Sequence, residues 1–156
     1  MKLAHTAICV PDIDAAVEWY SSVLGLTVLS PAYRMEGPSI TDDMGELLTG
    51  RPVAVCAAIL GNEAGDHVLE LIAYPNEPEA DGQPRAMNQP GISHVGFVCD
   101  DIEATRARLE ASGAEFIVEG AARIAGLRTT WCRDPWGTVL ILLEKSDPAQ
   151  PYWHQY

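Results

Sequence analysis

No two cysteines in this chain stand at metal-site or redox spacing. Cys9, Cys56, Cys99 and Cys132 are scattered and no C-x-x-C occurs, which excludes a zinc ribbon and a thioredoxin-type motif. Positive charge is scarce. The 10 Lys and Arg face 22 Asp and Glu, a formal net charge of -12, which speaks against nucleic acid and anionic membrane surfaces as partners. No apolar run approaches the roughly 20 residues that span a bilayer. No leader separates Met1-Lys2 from the first strand-like run, so the cytoplasm is the expected location. What is present is a chain of 156 residues, 47% hydrophobic and 21% charged. That is enough for one domain with a real core, or for two small similar halves.

The second description fits, because the chain is written twice. "HTAICVPDIDAAVEWYSSVLGL" (5–26) matches "HVGFVCDDIEATRARLEASGAEF" (94–116), with His5 on His94 and Asp12-Ile13-Asp14-Ala15 on Asp101-Ile102-Glu103-Ala104. "DHVLELIAY" (66–74) matches "GTVLILLEK" (137–145), with Glu70 on Ile141. Each copy begins with a short strand (3–10; 92–99), reaches an aspartate suited to cap a helix, and continues with apolar residues at helical spacing. Gly25 and Gly113 close the helices. Strand-rich segments follow at 26–30, 53–60 and 67–74, then at 115–118, 127–133 and 138–144. The reading is α+β: two tandem βαβββ modules, 1–78 (with an insertion at 30–52) and 92–145, joined by a Pro- and Gly-rich linker at 79–91 and ended by a tail at 146–156.

Strand side chains alternate between faces. One face of each sheet can pack on its helix; the other is apolar with a few polar groups, as in a small-molecule pocket. His5, His94 and Glu70 interrupt strands where Val or Ile would serve. A lone strand histidine is usually a hydrogen-bonded core residue, and an ionised glutamate is rarely buried without a partner. Two histidines at equivalent repeat positions, with one carboxylate, suit a divalent ion such as Fe, Mn, Ni, Co or Zn.

The repeated βαβββ pattern, a histidine on the first strand of each half, "VPDIDAAVEWYSSVLGL" and the closing "RDPWGTVLILLE" resemble the vicinal oxygen chelate superfamily. Glyoxalase I, methylmalonyl-CoA epimerase, extradiol dioxygenases and the bleomycin- and fosfomycin-resistance proteins belong to it. The resemblance implies paired modules forming a U-shaped, partly closed mixed sheet around a metal-binding cleft, and a homodimer. It implies His5, Glu70 and His94 as ligands and Glu70 as the catalytic carboxylate. The fourth ligand of that pattern falls on Ile141. Glu144, three residues on, has the opposite strand parity and should point away. The implied activity is isomerase, lyase or dioxygenase chemistry on a small oxygen-bearing substrate. The alternative is a metal-free protein that sequesters a small molecule. Residues that hold glutathione in glyoxalase I correspond to Cys9 and Tyr74. Tyr33 and Arg34 in the insertion, Tyr74, and Arg128 and Thr130 on one strand face are the candidate substrate contacts.

Overall fold

The computed structural model describes residues 1–62, 67–78 and 86–155. The chain divides into two compact units, Met1–Gly82 and Gln83–Tyr156. Residues 79–85 of the expected linker lie outside the described residues, as does Tyr156.

The first unit runs β1 (His5–Cys9), α1 (Ile13–Ser22), β2 (Thr27–Glu36), α2 (Pro38–Met44), β3 (Ala54–Gly61) and β4 (Val68–Ala73). Its sheet has the order β1-β4-β3-β2, with β1 parallel to β4 and the other pairs antiparallel. The Asp12 carboxylate accepts the Ala15 N–H at 3.0 Å, satisfying a donor that the first helical turn leaves free. Beyond the helix, Gly25 takes φ +75°, where a Cβ would be strained. α1 buries Ala16, Trp19 and Tyr20 on the sheet face that carries Leu60, Leu69 and Leu71, all buried. Each large apolar side chain so buried contributes about 1.5–3 kcal/mol.

Two features of 30–52 differ from the expected insertion loop. β2 continues to Glu36, past Pro31, because register shifts between Val28 and Ser30 and between Ser30 and Tyr33 let a residue without an N–H sit off the ladder. α2 then opens on Pro38 at its first turn, where the missing N–H costs nothing. The return to β3 is pinned by Glu77, whose carboxylate accepts Thr49 N (3.1 Å), Thr49 Oγ1 (2.8 Å) and Gly50 N (2.5 Å).

The second unit runs β5 (Val95–Cys99), α3 (Ile102–Ala111), β6 (Glu115–Phe116), β7 (Ala122–Ile124), β8 (Leu127–Arg133) and β9 (Val139–Lys145). The order is β5-β9-β8-β6, and β7 also pairs with β8. Asp101 repeats the helix cap, accepting Ala104 N at 2.8 Å. β7 lies between the strand-rich segments expected at 115–118 and 127–133. It exists because Ala125 (φ 50°) and Gly126 (φ 77°) form a two-residue hairpin turn with both central residues left-handed. Asp134 is buried and accepts the N–H groups of Trp136 (3.0 Å) and Thr138 (2.7 Å), so the D-P-W-G turn is tied by its own aspartate. With sheets of four and five strands and three helices, the described residues are mixed α+β. No helix among them is long and apolar enough to cross a membrane.

Candidate metal centre

In the first unit, the parallel register of β1 and β4 sets Ala7 beside Glu70 and His5 beside Val68. His5 and Glu70 therefore lie diagonally on one face, the one opposite α1. Their side chains meet, His5 Nε2 to Glu70 Oε2 at 3.3 Å, with 50% and 16% of their side-chain surfaces exposed. That separation suits a metal. Two donor atoms about 2.0–2.2 Å from a common ion, at about 90–110° to one another, lie roughly 3.0–3.5 Å apart. The donor types fit as well: imidazole nitrogen and carboxylate oxygen suit borderline divalent ions.

The same face carries Cys9, Ile72 and, just past β4, Tyr74. Burial pushes the Cys9 thiol up. Burial, then the neighbouring Cys9 and Glu70, pushes the Tyr74 phenol up, so it stays a hydrogen-bond donor at neutral pH. Tyr33 pairs with Ala57 and falls on this face too. Arg34 pairs with Cys56, on the opposite face, where its Nε bonds Glu36 at 2.9 Å.

The second unit repeats the register. Gly96 lies beside Ile141, as Ala7 lies beside Glu70, so Ile141 holds the place of the carboxylate in structure as well as in sequence. A Cβ on Gly96 would meet Ile141 Cγ2 at 3.4 Å; the isoleucine packs down over a bare glycine. His94 shares this face. Its Nδ1 is 2.8 Å from Ser93 Oγ, and its ring meets Trp131 edge-on with centroids 4.9 Å apart. A hydrogen bond at Nδ1 orients the ring and leaves Nε2 for ligation.

Glu144 points the other way, as its strand parity requires. It accepts the Ile102 N–H at the start of α3 (2.8 Å) and both bonds of Arg128 Nη1 (2.8 and 2.9 Å). Arg128 also bonds Glu103. Arg128 and Thr130 thus lie on the helix-covered face, not on the face with His94. Thr130 is fully buried and donates to the Gly120 carbonyl at 2.9 Å. The oxygens of Asp101, Glu103 and Glu144 lie within 4.8 Å of one another, but Arg128 already supplies the positive charge among them, and its pairing holds the Glu103 carboxyl below the usual range.

The residues on the His94 face of β8 are Thr129, Trp131 and Arg133, the alternate set to Arg128 and Thr130. Sequence reasoning passed over them. The signal was available: the β8–β9 hairpin sets Trp131 beside Ile141 and Arg133 beside Val139, and that register follows from the D-P-W-G turn between the strands.

Residues 2–142 match a family model described as the Glyoxalase/Bleomycin resistance protein/Dioxygenase superfamily. Among curated relatives, the uncharacterized protein YaeR of Escherichia coli is 28% identical over 144 residues, covering 92% of this chain and 96% of that one. Ethylmalonyl-CoA/methylmalonyl-CoA epimerase of Cereibacter sphaeroides is 32% identical over 128 residues, 79% of each. Among solved structures, a glyoxalase family protein from Bacillus cereus superposes with a TM-score of 0.78 at 23% identity, covering 92% of this chain and 93% of that one.

Proposed function

The chain belongs to the glyoxalase/bleomycin resistance protein/dioxygenase superfamily, and from that premise we propose that it is a divalent-metal enzyme acting on a small oxygen-bearing molecule. The proposed ligands are His5, Glu70 and His94. The observation that carries this reading is the 3.3 Å approach of His5 Nε2 to Glu70 Oε2. When bound, the metal supplies Lewis acidity to a carbonyl or enolate-like oxygen. Among the two equivalent strand positions only Glu70 is a carboxylate, so the reading has it take the proton from the carbon α to that carbonyl, with a proton returned to carbon to complete the isomerisation. Tyr74 and Tyr33, on the same face, orient the substrate. The similarity to an epimerase favours isomerisation by proton transfer over ring-cleaving oxygenation. A homodimer belongs to the same reading, and light scattering tests it.

The deciding experiment is elemental analysis of protein purified without a chelator or a histidine tag. About one equivalent of a first-row divalent metal per chain is expected, lost in both His5→Ala and His94→Ala. Stoichiometric metal in both variants would refute the ligand assignment. One observation favours a second reading, a metal-free binding protein: Ile141 is not merely substituted but packed over Gly96. Wild-type protein that takes up no metal on titration selects that reading.

A further inference from the structure

Among the described residues, two buried side-chain polar atoms lack a hydrogen-bond partner, Thr129 Oγ1 and Arg133 Nε. Both are on β8, and both are on the His94 face. Between them stands Trp131, whose ring touches His94. Buried polar groups are paired as a rule, and two exceptions on one strip of one strand are not scattered packing faults. Arg133 in addition makes no ion pair among the described residues; Arg51, Arg108 and Arg123 share that, but only Arg133 also has a buried, unpartnered Nε.

The repeat shows that the fold does not require these side chains. Glu70 pairs with Ile59 and Ile72 with Ala57. By the same register, Ile141 pairs with Trp131 and Leu143 with Thr129. The first unit thus fills the matching positions with Ile59 and Ala57, and one step further along has Gly61 where the second has Arg133. Two small or apolar residues and a glycine build the same strand.

Position and space agree. Extending the β5–β9 register by one residue sets His94 level with Val139, which pairs with Arg133. The arginine is two strand spacings from the histidine, about 10 Å, within reach of one small molecule touching both. Beside Thr129 and Trp131, where β6 breaks before β7, lies a cavity of about 300 Å³ that Val118, Glu119, Ala122 and Ile124 also line; Arg133 lies outside it, so the cavity suits the uncharged body of a ligand and the anionic end belongs at Arg133, away from Glu119. The net charge of -12 makes the general field hostile to anions, so an anion must be held by a specific cation.

We infer that the Thr129–Trp131–Arg133 strip is a recognition site for a small organic anion. Arg133 takes its carboxylate or other oxyanion, Trp131 packs its apolar body, and Thr129 donates to an oxygen on that body. This narrows the substrate class of the proposed enzyme. It depends on that reading only for where the reacting end lies.

Benzoate and its neutral counterpart benzamide are suitable probes, with acetate and inorganic phosphate as smaller anions, followed by ligand-observed NMR and calorimetry on the full chain. Wild-type protein should bind benzoate at least about tenfold tighter than benzamide, the effect of one charge-assisted bidentate contact. Arg133→Gln should bring that ratio to about one, Arg133→Lys should keep part of it, and Trp131→Ala should weaken both aryl probes. The preference should persist in protein treated with chelator, so a failed metal assignment would leave this result intact. The inference is overturned if wild-type protein prefers no anion over benzamide, a measurement that needs no variant, or if folded Arg133→Gln keeps the preference.

Discussion

Replacing Ile141 by glutamate should cost stability without metal and recover about half of that cost when metal is bound. In the first unit, a glutamate at this register position reaches the imidazole two residues earlier on the neighbouring strand, at 3.3 Å. The second unit has the same register, so the introduced carboxylate should reach His94 Nε2 in the same way. Without metal the variant loses the packing of a half-buried isoleucine on Gly96 and places a carboxylate among Trp131, Leu143 and Val98. Partial loss of apolar burial amounts to about 1–2 kcal/mol, and partial desolvation of the charge adds about 1 kcal/mol more. For a chain of this length that corresponds to a fall in melting temperature of roughly 4–12 °C. With metal, one more anionic ligand should tighten binding by at least about tenfold. At saturating metal this restores about 1.4 kcal/mol beyond the wild-type gain. The assay is a pair of thermal melts, with chelator and with excess divalent ion, alongside direct metal titration. A variant that melts lower by the same margin in both conditions, with unchanged metal affinity, would show that the Ile141 position does not face a metal site.

Further outcomes follow from other contacts. Glu144→Gln should lower the melting temperature, because the carboxylate holds both the Ile102 N–H and Arg128, yet leave metal content unchanged; lost metal would make it a ligand after all. The Glu103 carboxyl is depressed below its usual 4.5, first by its bond to Arg128. A depressed folded value means the stabilisation is complete above about pH 4.5 and lost as pH falls through the lower folded value. Glu103→Gln should therefore flatten the acid limb of a stability–pH curve and lower stability at neutral pH, and an unchanged acid limb would contradict the pairing. Gly126→Ala would set a methyl 2.0 Å from the Gln155 carbonyl oxygen at φ +77°, so the tail must lift from the β7–β8 turn. Limited proteolysis should then cut within 147–155 faster than in wild type.

How much was legible follows from which signals are local. The repeat, the aspartate caps and the closing glycines are short-range features, and α1, α3 and the central strands lie where they point. Tertiary accommodation was less visible. The strand expected at 26–30 runs on past Pro31 to Glu36, because register shifts in β2 absorb the proline. Ala125-Gly126 is a weaker hairpin signal than Asn-Gly, so β7 was missed. Within the site, parity turned Glu144 away from the Ile141 face, whereas the shared face of His5 and Glu70 is set by the β1–β4 register. Parity also misled where its phase was unanchored: Arg128, Thr130 and Cys132 alternate as cleanly as Thr129, Trp131 and Arg133. Only pairing with β9 tells which set shares a face with His94.

That pairing exposes an exchange between the halves. At matched register positions, the first unit has Glu70 flanked on the next strand by Ala57, Ile59 and Gly61. The second has Ile141 flanked by Thr129, Trp131 and Arg133. Where the carboxylate stands, the neighbouring strand is bland; where the carboxylate is missing, the neighbouring strand carries the indole, the cation and the unpaired hydroxyl. The Ile141 substitution is then more than a lost ligand. A carboxylate there would sit one residue across from Trp131 and within a few ångströms of the strip holding Arg133, and would compete with a bound anion for the guanidinium. An apolar residue at 141 keeps Arg133 available. On this argument, Ile141→Glu should strengthen metal binding and weaken benzoate binding in one variant. A double variant with Arg133→Gln should show no further loss of benzoate affinity, because the group competed for is already gone. Additive losses in that cycle would separate Ile141 from the anion site.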